Sequence, residues 1–200
     1  MFLRNPQNWI RKTLLIGVFF FLLSNPASAT TEYVIKKEES FVKGIATYTL
    51  IGKYNAHFED FEGRIIFDPK RISRSSVYIE IKTTSIKSNF PVLDKIVRSS
   101  RLLDAAEYPK IIFQSTRCVK TEDGYRVKGI LNLHGIEKEI EFPFSLEEMI
   151  SAEGDFLEAQ GKWNINRKDY NVIWHKTLDK GGVIVGDTIT VDWKIRAYEE

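Results

Sequence analysis

The sequence predicts an all-β fold, an antiparallel β-barrel of about eight strands with one short capping helix near residues 91–104. Three observations predict it. From Tyr125 to Ser145 apolar and polar residues alternate with period two, which on a strand turns one face to a core and the other to water. Residues that favour reversal separate similar β-branched and aromatic segments along the chain. Only one stretch has helical spacing, so a parallel βαβ architecture is excluded. Closing the sheet removes the exposed edges of a long antiparallel array, and about eight strands leave an interior for packed side chains or one small ligand.

Residues 1–29 have the layout of a cleaved secretory signal peptide: basic Arg4, Arg11 and Lys12, an apolar run Leu14–Leu23, and Ala27-Ser28-Ala29. The run of ten residues is short for a membrane span, and Thr30 stands where a lipidated chain would need cysteine. Cleavage after Ala29, export to the periplasm and a single domain over residues 30–200 are the expectations. The leader holds three of the 29 basic residues and none of the 27 acidic ones, so residues 30–200 carry 26 against 27, a net charge of −1. That balance gives no electrostatic case for nucleic acid. One cysteine, Cys118, allows no internal disulfide, so packing and sheet hydrogen bonds must stabilise the fold.

In chain order, strands are expected at Phe41–Leu50, Lys53–Phe58, Gly63–Phe67, Ser76–Thr83, Lys110–Val119, Gly124–Leu133, Ile136–Leu146, Phe156–Ile165, Tyr170–Trp174 and Thr188–Ala197. Asp68-Pro69, Glu122-Asp123-Gly124, His134-Gly135, Glu153-Gly154-Asp155 and Gly181-Gly182 supply the turns. Between Phe90 and Ala106 the spacing of Val92, Leu93, Ile96, Val97 and Leu103 is helical; Pro91 suits a first turn, and Tyr108-Pro109 stops the helix before the next strand.

Catalytic and metal motifs are absent. His57, His134 and His175 are isolated in sequence, with no HxH, HExxH or CxxC pattern, so no metal is expected. There is no GxSxG elbow, and Cys118 reads as a small hydrophobe. Gly181 to Gly186 lacks the Lys-Ser/Thr of a phosphate loop and reads as a hairpin. Asn166-Arg167-Lys168-Asp169-Tyr170 interrupts two strand patterns; it fits either a loop-shaping ion pair or a polar clamp in which Arg167 offers its fork of donors to a head group, with Asp169 beside it. The apolar faces supply the candidate interior: Phe41, Tyr48, Phe58, Phe67, Ile79, Ile81, Val97, Phe113, Leu131, Leu133, Phe142, Phe144, Trp163, Ile165 and Trp193. Periodicity alone fits a solid core and a lined cavity equally.

Read in order, several motifs resemble the YceI-like family of exported, lipocalin-like polyisoprenoid-binding proteins. They are His57-Phe58-Glu59-Asp60-Phe61-Glu62-Gly63-Arg64-Ile65 with Phe67-Asp68, Ile79 to Ser85, Val97-Arg98-Ser99 with Leu102-Leu103-Asp104, and Tyr108 to Phe113. Val127 to Gly135, Ile165 to Tyr170 and Gly181 to Asp187 continue the match. The chain departs from the family pattern at Ile96, at Leu102 and at Asn171, which replaces a usual glycine. The resemblance implies a capped barrel whose elongated apolar cavity holds an isoprenoid or other long-chain lipid, a quinone-related chain being one class that fits, with no catalytic residue and no other cofactor. The partners expected are that hydrophobic small molecule and, transiently, a membrane; a dimer is compatible with the sequence. Two alternatives stay open: an envelope stress or interaction protein with a solid core, and an enzyme acting on such a lipid through Arg167, Asp169, Asp104 and His134.

Overall fold

The computed structural model describes residues 30–48, 52–151, 154–173 and 185–200. The expected leader, the Gly181-Gly182 turn, His175 and the side chain of Tyr48 lie outside the described part. Among the described residues the strands are β1 (Thr31–Ile35), β2 (Phe41–Tyr48), β3 (Gly52–Phe58), β4 (Phe61–Phe67), β5 (Ser76–Lys82) and β6 (Ile86–Ser88), followed by helix α1 (Pro91–Arg98). Then come β7 (Lys110–Thr121), β8 (Gly124–Leu133), β9 (Ile136–Met149), β10 (Phe156–Asn166) and β11 (Val185–Glu199).

Eight strands close on themselves in the order β1-β4-β5-β7-β8-β9-β10-β11, with β11 returning to β1 and every pairing antiparallel. The fifteen-residue β11 makes this possible by changing partner along its length. Its first part pairs with β2, Thr190 opposite Ile45, and its end pairs with β1, Ala197 opposite Ile35. Beyond β2 the sheet continues through β3 to the three-residue β6. β6 follows β5 after a 3-10 turn at Thr83–Ser85.

The hairpin foreseen at His134-Gly135 is present, with both residues at positive φ (+53° and +72°), as the tight two-residue turn between β8 and β9 requires. At Asp68-Pro69 the buried Asp68 carboxylate accepts from the backbone N–H groups of Lys70 (3.1 Å) and Arg71 (2.9 Å), fixing the exit from β4.

Three expectations need correction. Of the strand expected over Tyr170–Trp174, the described residues 170–173 do not form one: residues 167–170 form a 3-10 turn, in which the Asn166 side chain accepts from the Lys168 N–H, and Asn171 follows in the left-handed region. Asparagine tolerates that conformation, which explains its presence where glycine is usual. The helix ends at Arg98, with turns filling the stretch from Ser99 to Glu107. Strands β1 and β6 were not foreseen.

Besides a small cluster of Tyr54, Ala56 and Ile86 on β3 and β6, two apolar clusters among the described residues bracket the barrel. One joins Tyr33, Phe61, Phe67, Leu157 and Ile195 where β1 closes the ring. The other joins Leu102, Ile111, Leu133, Tyr170 and Val172 beneath α1.

Candidate ligand cavity

Between these clusters the barrel encloses a cavity of about 300 Å³ with an almost wholly apolar wall. The interior is therefore not filled solid. The vacancy follows from residue size: β2 and β3 turn Val42, Gly44, Ala46 and Ala56 inward, and β10 adds Ala159. These small side chains leave room that the larger Tyr54, Phe58 and Trp163 on the same strands do not fill.

The larger groups form an aromatic wall. Phe142 stacks on Trp163 at 4.1 Å between centroids and meets Trp193 edge-on at 6.0 Å; Phe113 lies 5.4 Å from Phe142 and Phe144 6.3 Å from Trp193. Two glycines let these rings lie over neighbouring strands. A Cβ on Gly129 would stand 2.6 Å from the Phe113 ring, and one on Gly161 3.0 Å from that of Trp193. The indole Nε1 atoms of Trp163 and Trp193 are buried without a hydrogen-bond partner.

Of the residues expected at the interior, Phe58, Phe67, Ile79, Ile81, Val97, Phe113, Leu131, Leu133, Phe142, Phe144, Trp163, Ile165 and Trp193 border the cavity. Phe41 does not. Its ring lies on the other face of β2, with the Lys43 ammonium 4.0 Å from its centroid, because the inward register of that strand belongs to Val42, Gly44 and Ala46. Tyr54, Leu93, Ile96 and Val172 also border the cavity, a place the sequence did not assign to them.

Arg167 is buried and reaches the cavity wall, yet its fork is occupied by protein. It donates from Nε to Gly186 O (3.0 Å), from Nη1 to Val172 O (2.6 Å), and from Nη2 to Val185 O (3.2 Å) and Asp187 Oδ1 (2.8 Å). These acceptors lie on the chain before and after residues 174–184, so Arg167 ties the two together. Lys168 reaches the same carboxylate at 2.6 Å, and its ammonium is the main cause holding Asp187 below the usual carboxylate range. Asp169 is not at the cavity; it is exposed and 3.9 Å from Lys138. Of the two readings of this segment, the geometry fits the loop-shaping one, with Asp187 and not Asp169 as the acid paired with Arg167, and not the head-group clamp.

The remaining polar candidates do not converge with them. His134 Nδ1 lies 3.2 Å from Tyr170 O, a hydrogen bond when that nitrogen carries the proton, and its ring packs 4.3 Å from Tyr108. Asp104 occupies a turn at φ +41°. Cys118 is buried on the cavity wall, where burial pushes its thiol up to about 11, so it stays protonated and unreactive at neutral pH. Among the described residues no group of His, Cys, Asp and Glu could hold a metal.

The cap is held by a buried polar latch. Asp94 in α1 is 3% exposed and accepts from Tyr54 Oη (2.7 Å), Ser88 Oγ (2.6 Å) and Ser88 N (3.0 Å), joining the helix to β3 and β6. Burial alone would raise its pKa, but the hydrogen bonds from Ser88 and Tyr54 outweigh that and hold it below the ordinary value. The Tyr54 hydroxyl is pushed up, first by burial and then by the carboxylate. A sequence signal existed: Asp94 adjoins Leu93 and lies one turn before Val97, so an acid falls on the apolar stripe of the helix.

The family model described as "YceI-like domain" matches residues 33–197. A UPF0312 protein of Yersinia pestis (strain Pestoides F) is 33% identical over 180 residues, covering 82% of this chain and 88% of the relative; one from Yersinia enterocolitica is 33% identical over 178 residues, covering 80% and 86%. Among solved structures, Burkholderia cenocepacia BcnA is similar with a TM-score of 0.71 at 21% identity, covering 81% of this chain and 98% of that one. A polyisoprenoid binding domain from Saccharophagus degradans has a TM-score of 0.67 at 15% identity, covering 86% and 100%.

Proposed function

The chain belongs to the YceI-like family, and from that premise we propose that it is a non-enzymatic carrier or store for a long-chain, isoprenoid-like lipid of the quinone-related class. It works in the periplasm after cleavage of residues 1–29. One observation carries this reading: the barrel encloses about 300 Å³ with an apolar wall and a capped end. Such a wall offers each buried methylene ~0.8 kcal/mol and few directional contacts, so it selects for length and girth over identity. The likeness to a polyisoprenoid binding domain supports the ligand class. The dispersal of Arg167, Asp169, Asp104 and His134 among separate structural partners argues against catalysis.

Native mass spectrometry and organic extraction of protein from its own host test the proposal. A stoichiometric long-chain lipid is expected. Protein recovered empty under gentle conditions would refute it.

A further inference from the structure

The surface of the cap combines exposed apolar and basic side chains. Phe90 is 40% exposed and Val92 73% exposed, side by side at the start of α1 with Pro91 also at the surface. Scattered exposed apolar residues are ordinary, but these two sit within a stretch whose accessible charges share one sign. Residues 84–103 contain Lys87, Lys95, Arg98 and Arg101 and one acid, Asp94, which is buried in the latch. Lys87 is paired with Glu59 at 2.7 Å; Lys95 and Arg101 are exposed and form no ion pair among the described residues, and Arg98 spends its guanidinium on the carbonyls of Thr84 and Ile86. With Lys87 paired and Arg98 held by carbonyls, Lys95 and Arg101 are the accessible basic charge of this segment, on a chain whose residues 30–200 carry −1.

Val92 and Lys95 are three residues apart and share the outer side of the helix, while Leu93, Ile96 and Val97 border the cavity on its inner side. The same eight-residue helix thus has one face on the vacancy and one face in water.

We infer that the Phe90-Val92 tip and its basic surround form a docking surface for an anionic lipid membrane. The inference rests on the carrier reading and deepens it by naming the face that meets the donor or acceptor bilayer. Charge complementarity selects this occupant: apolar side chains enter the headgroup boundary while the exposed Lys95 and Arg101 face anionic headgroups. An uncharged protein partner would leave those cations unanswered. Docked in this way, the cap between ligand and bilayer is the element nearest the membrane.

The test is co-sedimentation of the exported protein, recovered after expression of the full chain, with vesicles of phosphatidylcholine alone or mixed with phosphatidylglycerol. Binding to the mixed vesicles is expected, weakening as salt rises. Lys95→Gln and Arg101→Gln should each weaken it about fivefold, and Phe90→Ser with Val92→Ser about tenfold to a hundredfold. Met149→Ser with Ile150→Ser, which alters an exposed apolar pair at the opposite end of the barrel, should change nothing. Cavity lipid, extracted from the same samples, should be unaffected in every variant. Normal lipid content with no preference for anionic vesicles would overturn the docking surface while leaving the carrier reading intact; empty protein that still binds vesicles through Phe90 and Lys95 would do the reverse. Self-association that depends on Phe90 and Val92, without vesicle binding, would assign the face to a second copy of the chain and overturn the inference.

Discussion

Replacing Asp94 by alanine should loosen the cap from the barrel. The carboxylate is buried and receives three hydrogen bonds, from Tyr54 Oη, Ser88 Oγ and Ser88 N. Hydrogen bonds to a charged group contribute roughly 1.5–3 kcal/mol each, and some of the orphaned hydroxyls will find new acceptors, so a total loss of about 3–5 kcal/mol is expected. For a domain of this size that lowers the melting temperature by roughly 6–20 °C. Tyr54→Phe removes one of the three bonds and should cost about 1.5–3 kcal/mol. A double-mutant cycle should show strong coupling, because both changes act on one bond. Hydrogen exchange should localise the effect to β6 and α1. The pH dependence has a definite sign. Asp94 titrates below its unfolded value when folded, so its contribution is full above about pH 4 and disappears as pH falls through the folded value. The stability gap between the wild type and Asp94→Asn should therefore narrow only in acid. A loss under about 1 kcal/mol for Asp94→Ala, or additive effects with Tyr54→Phe, would refute the latch.

Other consequences follow from the same geometry. Arg167→Lys should destabilise by about 2–4 kcal/mol, since a single ammonium cannot replace a fork serving Val172, Val185, Gly186 and Asp187; denaturant unfolding checks this. Gly129→Ala places a methyl against the Phe113 ring and Gln114 O and should cost about 1–3 kcal/mol by the same assay. Trp163→Asp should abolish lipid co-purification, whereas Glu141→Lys on the outer face, where Glu141 lies 3.4 Å from Arg126, should not. Cys118 should react slowly with thiol reagents at pH 8 in native protein and rapidly once unfolded, because burial holds the thiol protonated.

Much of the barrel was legible because period-two alternation leaves little choice of face. Residues 124–146 show this best: Val127, Leu131, Leu133 and Phe142 are buried, while Glu137, Glu139 and Glu141 are exposed. Where long-range pairing decides, the sequence said less. β1 owes its place to the ends of β4 and β11, and β6 is three residues recruited by β3. Tyr170-Asn171-Val172-Ile173 has strand-like composition, yet Arg167 holds Val172 through its carbonyl and the chain turns instead. Phe41 was placed inside because large aromatics usually are, but the vacancy requires the inward positions of β2 to be small. A cavity is built from residues that are missing bulk, and bulk is what hydrophobic patterning detects.

Under the proposed function a lipid chain occupies the enclosed space. A crystal structure of protein purified from its native source tests it most directly. Continuous elongated density should run beside Phe142 and Trp163 toward the wall formed by Leu93 and Val97 beneath the cap. An interior in which Phe113, Phe142, Trp163 and Trp193 had moved inward to fill the space, with no guest present, would contradict it.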